Sequence, residues 1–204
     1  MTWTQRRKIM AAIAGIVAVA ALTVALVLGT IAAPDNGIVA RVNGEEITAE
    51  ELERAWTQYA HGGAELTRAQ ALDRLILEKL FYEEAELGGY VPTKGQAERE
   101  LRDQLRRQGM TIEVYREALE DLGFSFDEYI EDLQRALGIA GYLDAATEVS
   151  EEEAREFYEE LREEDEDLGP FEEEKAMIVA FLSQEKMFGL IQDAKANADI
   201  EIYI

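Results

Sequence analysis

The side chains that most often carry out catalysis are scarce in this chain of 204 residues. It has no cysteine and a single histidine, His61, so thiol chemistry, disulfide bonds and a multi-histidine metal site are excluded. A Ser-His-Asp triad would have to use His61, which is expected at the end of a helix just before a Gly-Gly pair. Because the helix dipole favours a cation at that end, we interpret His61 as a capping residue.

Carboxylates are the abundant candidates for chemistry, with 43 Asp and Glu residues in the chain. The runs at residues 165–167 and 172–174 contain enough acidic groups to draw a general acid–base pair or a calcium site. The spacing of an EF-hand loop is not met, and there is no glycine-rich phosphate loop. We therefore interpret these runs as a solvated face and expect no catalytic residue, no metal and no cofactor.

The balance of charge limits the partners. Against the 43 acidic residues stand 20 basic ones, which gives a net charge of −23. So acidic a surface repels nucleic acid and anionic lipid headgroups, which argues against both as partners. Because most of the basic residues are Arg rather than Lys, the composition suggests adaptation to molar salt. An ordinary acidic extracytoplasmic protein is the alternative.

An apolar segment at residues 9–33 carries no charged side chain. At about 1.5 Å per residue it measures roughly 37 Å, enough to cross a hydrocarbon core of about 30 Å with some tilt. Cleavage near Ala32 or Ala33 is conceivable, but the segment is longer than the apolar part of a secretory signal. The basic cluster at residues 6–8 lies directly before it, which places residues 1–8 in the cytoplasm and the chain from residue 34 outside. We predict an uncleaved single-pass anchor, followed by a linker at residues 34–37.

The remaining chain, residues 38–204, is predicted to form one mainly α-helical domain with a small sheet. Asn43-Gly44 between apolar residues is a strong hairpin signal, because both turn positions need positive φ. Thr48-x-x-Glu51 then has the form of a capping box that opens a helix. Further helices are predicted to begin at five polar caps: Thr67, Thr93, Thr111, Ser125 and Ser150. The alternating end, residues 200–204, predicts a strand whose available partner is residues 39–42.

These elements resemble the N-terminal domain of the SurA and PrsA group of extracytoplasmic chaperones. The resemblance rests on the Asn43-Gly44 hairpin that runs into a helix, on Ala-Leu-Asp-Arg-Leu-Ile-Leu-Glu-Lys-Leu at residues 71–80, and on Leu-Gly-Phe followed by Ser-Phe-Asp-Glu-Tyr at residues 122–129. It implies a helical module that binds unfolded polypeptides. Family members often carry a parvulin proline isomerase inserted before the final helix. Here that interval, roughly residues 162–170, is too short for a domain of about 100 residues, so we expect no isomerase and no enzymatic activity.

Client binding then needs exposed apolar side chains that adapt to varied partners, a role that suits Met and aromatic residues. Phe124 and Phe126 flank Ser125 in a turn between helices, where two large rings are unusual unless they are covered or used. The alternative for each such residue is that it staples neighbouring helices together. The candidate client-binding set is Met110, Tyr115, Phe124, Phe126, Tyr129, Tyr142 and Met187.

The sequence therefore favours a membrane-anchored, ATP-independent holdase that captures unfolded or newly exported polypeptides through an apolar groove. A non-catalytic assembly subunit, bound permanently to one membrane partner, is the rival interpretation. A peptidyl-prolyl isomerase is a third possibility that rests on the family label alone.

Overall fold

A three-stranded antiparallel sheet joins the two ends of the domain. Strands β1 (Ile38–Val42) and β2 (Glu45–Thr48) form a hairpin, and Asn43 and Gly44 at its turn have φ values of 49° and 87°. Strand β3 (Ile200–Ile202) pairs with the other side of β1, which gives the order β2-β1-β3. The predicted hairpin and the predicted pairing of the C-terminal strand are both confirmed.

The computed structural model describes residues 37–61, 67–164 and 168–204, without the side chains of residues 58–61 and 164. The span predicted at residues 9–33 and the side chain of His61 lie outside this description. Within it, no helix combines the length and apolarity needed to cross a membrane. Seven helices connect the strands in the described part: α1 (Ala49–His61), α2 (Arg68–Leu87), α3 (Lys94–Arg107), α4 (Ile112–Asp121), α5 (Phe126–Ala146), α6 (Glu151–Glu164) and α7 (Phe171–Asn197).

Polar caps begin the helices where the sequence predicts them. At the start of α1 the backbone N–H of Thr48 donates to Glu51 Oε2 at 2.7 Å, and the N–H of Glu51 donates to Thr48 Oγ1 at 3.1 Å. Ser150 and Glu153 exchange the same two bonds before α6, at 2.8 and 3.2 Å. Each reciprocal pair satisfies two backbone donors that the first turn would otherwise leave without partners.

Three separate apolar clusters hold the helices together. The hairpin, α1 and α2 bury the first, which includes Ile47 and Ile76. Helices α3, α4 and α5 bury the second around Ile130, and α6 and α7 bury the third around Ile178. Helix α7 also reaches the first cluster, because Ala194 packs against it. The long last helix therefore links the sheet to the α6–α7 pair.

Helix α5 closely approaches the connection between α2 and α3 at Gly138, which is buried. A Cβ at this position would lie 2.8 Å from Val91 Cγ2 and 3.1 Å from Val91 Cα. One turn earlier, Gln134 Nε2 donates to the carbonyl oxygen of Pro92 at 2.8 Å. This contact fixes the connection between α2 and α3 against α5, and it thereby sets where the α3–α4 pair lies relative to the sheet.

Candidate functional site

Three successive helices end in the same backbone motif, and each motif is followed by a large apolar side chain. After α4 the glycine Gly123 has a φ of 83°, and the N–H of Phe124 donates to the carbonyl of Leu119 at 2.9 Å. After α3, Gly109 has a φ of 74° and the N–H of Met110 donates to Leu105 at 2.9 Å. This is the Schellman ending, which needs a residue with positive φ. The residue after the glycine is Tyr90 behind α2, Met110 behind α3 and Phe124 behind α4, and all three are exposed.

Helix α4 exposes further apolar side chains between two of these endings. Val114 is 54% exposed and Leu122 is 73% exposed, with exposed Ala118 one turn from each. Met110 and Phe124, at the two ends of the helix, are 40% and 62% exposed. We call these five residues the α4 strip. Among the residues of α4 itself only Ile112 is buried, so the helix has more apolar side chains than its neighbours cover.

A tyrosine pair and a buried phenylalanine belong to the core next to the α4 strip. The rings of Tyr115 and Tyr129 are half-buried and meet edge to face, with centroids 5.4 Å apart. Burial, together with the hydrogen bond to Tyr115, raises the pKa of Tyr129 to about 12. Phe126 is only 5% exposed, and the Arg116 guanidinium lies 4.2 Å from its ring centre. The expectation that Phe126 lies off the core is therefore wrong, because its ring fills the second apolar cluster.

The last two residues of the predicted set lie elsewhere. Tyr142 contacts Phe81 and Tyr90, and it lines a cleft of about 360 Å³ between α2, α5 and α7. Met187 is half-buried on α7. Met110 and Phe124 are thus exposed at the two ends of α4, and Tyr115 lies in the core beside that helix. Tyr142 and Met187 lie on α5 and α7, outside the α4 strip.

Sequence reasoning missed Val114 and Leu122. It assigned the apolar positions of α4 to a single core-facing stripe. The signal was present, because Val114, Ala118 and Leu122 recur every four residues beside the inner positions Tyr115 and Leu119. Two adjacent apolar rows on a helix of 10 residues are wider than one packed face.

A cleft with apolar side chains lies between α6 and α7 and has a volume of about 290 Å³. We call it the α6–α7 cleft. Phe157 and Leu182 line it, and the Phe157 ring stacks on Phe181 with centroids 5.3 Å apart. The other side chains that line this cleft are charged: Glu153, Glu156, Glu160, Glu185 and Lys186. Lys186 Nζ lies 2.7 Å from Glu153 Oε1 and 2.6 Å from the carbonyl oxygen of Glu148.

The described residues contain no assembled set of metal ligands. No group of three or more His, Asp or Glu side chains there is arranged to hold a metal ion. The acidic run at residues 165–167 lies outside the description. The chemistry that the described side chains support best is therefore the binding of apolar groups, at the α4 strip and in the α6–α7 cleft.

Comparisons with known proteins agree with this architecture. The sequence profile of the family described as SurA-like N-terminal domain matches residues 1–142. A foldase protein PrsA from Clostridium perfringens is 28% identical over 177 residues, which cover 76% of this chain and 52% of that protein. The chain thus spans about half the length of this curated relative. Between α6 and α7 it has only residues 165–170, too few for an inserted domain.

A solved structure shares the fold. It comes from a study of PEB4 and the periplasmic protein Cj1289, two structurally related SurA-like chaperones of Campylobacter jejuni. The match has a TM-score of 0.55 and 12% sequence identity, and it covers 82% of this chain and 99% of the other. At that identity the likeness concerns the fold.

Proposed function

Because the chain belongs to the SurA-like N-terminal domain family, we propose that it is an ATP-independent chaperone that holds unfolded polypeptides. The observation that carries the proposal is the α4 strip. Four large apolar side chains, each at least 40% exposed, lie on one short helix and its two ends. Exposed apolar surface of this kind marks binding sites for other chains. Reversible contact with such side chains needs no nucleotide and no catalytic group.

The site of action follows from the apolar segment at residues 9–33. We propose that this segment anchors the chain in the cytoplasmic membrane, with residues 34–204 outside and newly exported polypeptides as clients. Support comes from its lack of charge, its length and the basic residues that precede it. The solved relatives include a protein described as periplasmic, which agrees with an extracytoplasmic domain. Protease protection in sealed vesicles of known orientation tests this topology directly.

The mechanism proposed is binding without isomerase catalysis. The short α6–α7 connection leaves no room at that point for the parvulin domain of related proteins. We therefore expect the chain to accelerate proline isomerisation of a model peptide no more than a buffer blank does. Acceleration above that background would contradict this part of the proposal.

Suppression of aggregation tests the holdase function. An unfolded model protein is diluted into buffer that contains the full chain in nanodiscs of zwitterionic lipid, and aggregation is followed by light scattering. We expect suppression at near-stoichiometric amounts. The double variant Leu122→Ser/Phe124→Ser should bind the client at least tenfold more weakly, because burial of each such side chain contributes about 1.5–3 kcal/mol and a loss of about 1.4 kcal/mol already corresponds to tenfold.

The matched control variant replaces two exposed apolar side chains that lie elsewhere in the chain. Leu87 and Ile204 are 78% and 54% exposed and lie outside the α4 strip. The variant Leu87→Ser/Ile204→Ser should suppress aggregation as the parent does. If a folded parent chain fails to suppress aggregation, the holdase proposal is wrong and the rival, an assembly subunit with one permanent partner, replaces it. Equal losses in the two double variants would show that the α4 strip is not the client surface.

A further inference from the structure

The α6–α7 cleft has an uncompensated negative charge around its apolar side chains. Glu156, Glu160 and Glu185 line the cleft, and none of their side-chain carboxylates forms a hydrogen bond or an ion pair with any residue that the structure describes. Glu156 and Glu160 lie one turn apart on α6. Because like charges four residues apart repel each other on a helix, the pair works against the stability of α6.

The Lys and Arg side chains of α6 and α7 form ion pairs with carboxylates other than these three. Arg155 Nη2 lies 2.7 Å from Glu151 Oε1, and Lys175 Nζ lies 3.0 Å from the other oxygen of the same residue. The remaining pairs are Arg162 with Glu159, Lys186 with Glu153 and Lys195 with Asp73. Hydrogen bonds from Lys186 and from Ser150 lower the pKa of Glu153 to about 2, so this pair remains ionised and neutralises itself. The net charge left at the cleft is that of Glu156, Glu160 and Glu185.

The side chains between these carboxylates are apolar and partly accessible. Phe157 and Leu182 are half-buried, and they line the cleft of about 290 Å³. That volume is near the lower end of the range for ligand pockets, about 300–1,000 Å³, and it suits one or two side chains rather than a folded partner. A metal ion is not the expected occupant, because the carboxylates of the described residues form no ligand cluster.

We propose that the α6–α7 cleft binds extended client segments in which an aromatic or aliphatic side chain is flanked by Lys or Arg. The apolar side chain contacts Phe157 and Leu182, and the flanking cations lie near Glu156, Glu160 and Glu185. The net charge of −23 attracts the same segments over a longer range, which raises their rate of encounter. This inference rests on the proposed chaperone function and names its preferred client class.

Three fluorescent peptides of equal length test the proposal, with a central Leu-Phe pair flanked by Lys/Arg, by Gln or by Glu. Anisotropy is measured with the full chain in nanodiscs of zwitterionic lipid, and empty nanodiscs serve as the blank. We expect the cationic peptide to bind about tenfold more tightly than the Gln peptide, since each exposed ion pair contributes a fraction of the 1.4 kcal/mol that corresponds to tenfold. In molar salt, where the screening length is about 3 Å, the preference should largely disappear.

Two variants with the same change in net charge distinguish the effect of the cleft carboxylates from that of the overall negative charge. Glu156→Gln/Glu160→Gln/Glu185→Gln neutralises the cleft, and Glu50→Gln/Glu120→Gln/Glu131→Gln neutralises three exposed carboxylates elsewhere. The cleft variant should lose the preference for the cationic peptide, and the control should keep it. Equal losses in both variants, or no preference in the parent chain, would overturn the proposal.

The peptide assay and the aggregation assay fail independently. If the parent chain suppresses aggregation of an unfolded protein but shows no cationic preference, the inference about the cleft is wrong and the chaperone function stands. If the cationic preference is present and depends on the cleft carboxylates, but aggregation is not suppressed, the chaperone function is wrong and the cleft remains a binding site for such segments.

Discussion

Two phenylalanines on either side of one helix cap have opposite environments. Phe124 precedes the cap Ser125 and is 62% exposed, whereas Phe126 follows it and is 5% exposed. Their residue type and their distance from the cap are the same, so sequence alone treats them alike. Phe124 follows the Schellman ending of α4 and belongs to none of the three apolar clusters, whereas the Phe126 ring fills the second cluster and has the Arg116 guanidinium over it. Replacement of Phe126 by Ala should cost about 3–5 kcal/mol, and the same change at Phe124 much less.

The glycine that ends α4 gives a prediction about stability. Gly123 has a φ of 83°, where a side chain is strained, so Gly123→Ala should lower the free energy of unfolding by about 1 kcal/mol. Gly189 lies inside α7 with no heavy atom within 4 Å of an added Cβ. Gly189→Ala should therefore raise the free energy of unfolding by up to about 1 kcal/mol. Urea unfolding measures both, and shifts of the same sign would contradict this account of the helix ending.

The ion pair at the start of α6 gives a pH dependence. The pKa of Glu153 falls from 4.5 to about 2, first because Lys186 donates to it and then because Ser150 does. Since the folded pKa is the lower one, this stabilisation is complete above about pH 4.5 and is lost as the pH falls toward about 2. Glu153→Gln should be less stable than the parent at pH 7, and the gap should close near pH 2.

Urea unfolding across this pH range checks the prediction about Glu153. Effects of the other carboxylates are common to both proteins and cancel in the comparison. Glu156→Gln is the control, because Glu156 lines the same cleft without an ion pair in the described part of the chain. It should leave the stability at pH 7 unchanged or raise it slightly, because it removes the repulsion from Glu160. A gap between Glu153→Gln and the parent that stays constant down to pH 2 would show that Lys186 does not stabilise the charged form.

At the scale of elements, the close approach of α5 to the chain that follows α2 depends on one glycine. A Cβ on Gly138 would lie 3.1 Å from Val91 Cα, which is backbone and cannot turn aside. Gly138→Ala should therefore destabilise the domain by about 1–3 kcal/mol through overpacking. Gly141, one turn along the same helix, would place its Cβ 3.7 Å from Tyr90 Cδ1, an ordinary contact. Gly141→Ala should be neutral or stabilising, and thermal unfolding of the two variants compares them directly.

The sequence predicts which helices and strands form, but it does not predict which faces of these elements are covered by their neighbours. The hairpin, the caps of α1 and α6 and the strand at the C-terminal end follow from local signals: an Asn-Gly turn, capping residues and alternation. Two adjacent apolar rows on α4 indicate that one of them stays uncovered, but periodicity does not show that it is the row of Val114 and Leu122. The ion pairs of α6 and α7 could not be predicted either, because the pairing of Lys186 with Glu153 spans 33 residues of sequence.

At the scale of the whole molecule, excess negative charge opposes the compact state. The net charge is −23, and each of the described ion pairs involves side chains that are at least partly exposed. Added NaCl screens the repulsion, so the melting temperature should rise as salt increases from roughly 0.05 M to 2 M. A gain of about 1 kcal/mol corresponds to about 2–4 °C for a domain of this size. A melting temperature that stays constant or falls would contradict adaptation to high salt.

The central claim is that the α4 strip contacts unfolded client chains, and site-specific crosslinking tests it most directly. A photoreactive amino acid replaces Leu122 in the full chain, or Leu87 as an equally exposed site outside the strip. Each protein is illuminated with an unfolded model protein and with the same protein folded. The account predicts strong crosslinks from position 122 to the unfolded form only, and weak ones from position 87. Equal crosslinking from both positions, or none from position 122 while aggregation is suppressed, would contradict it.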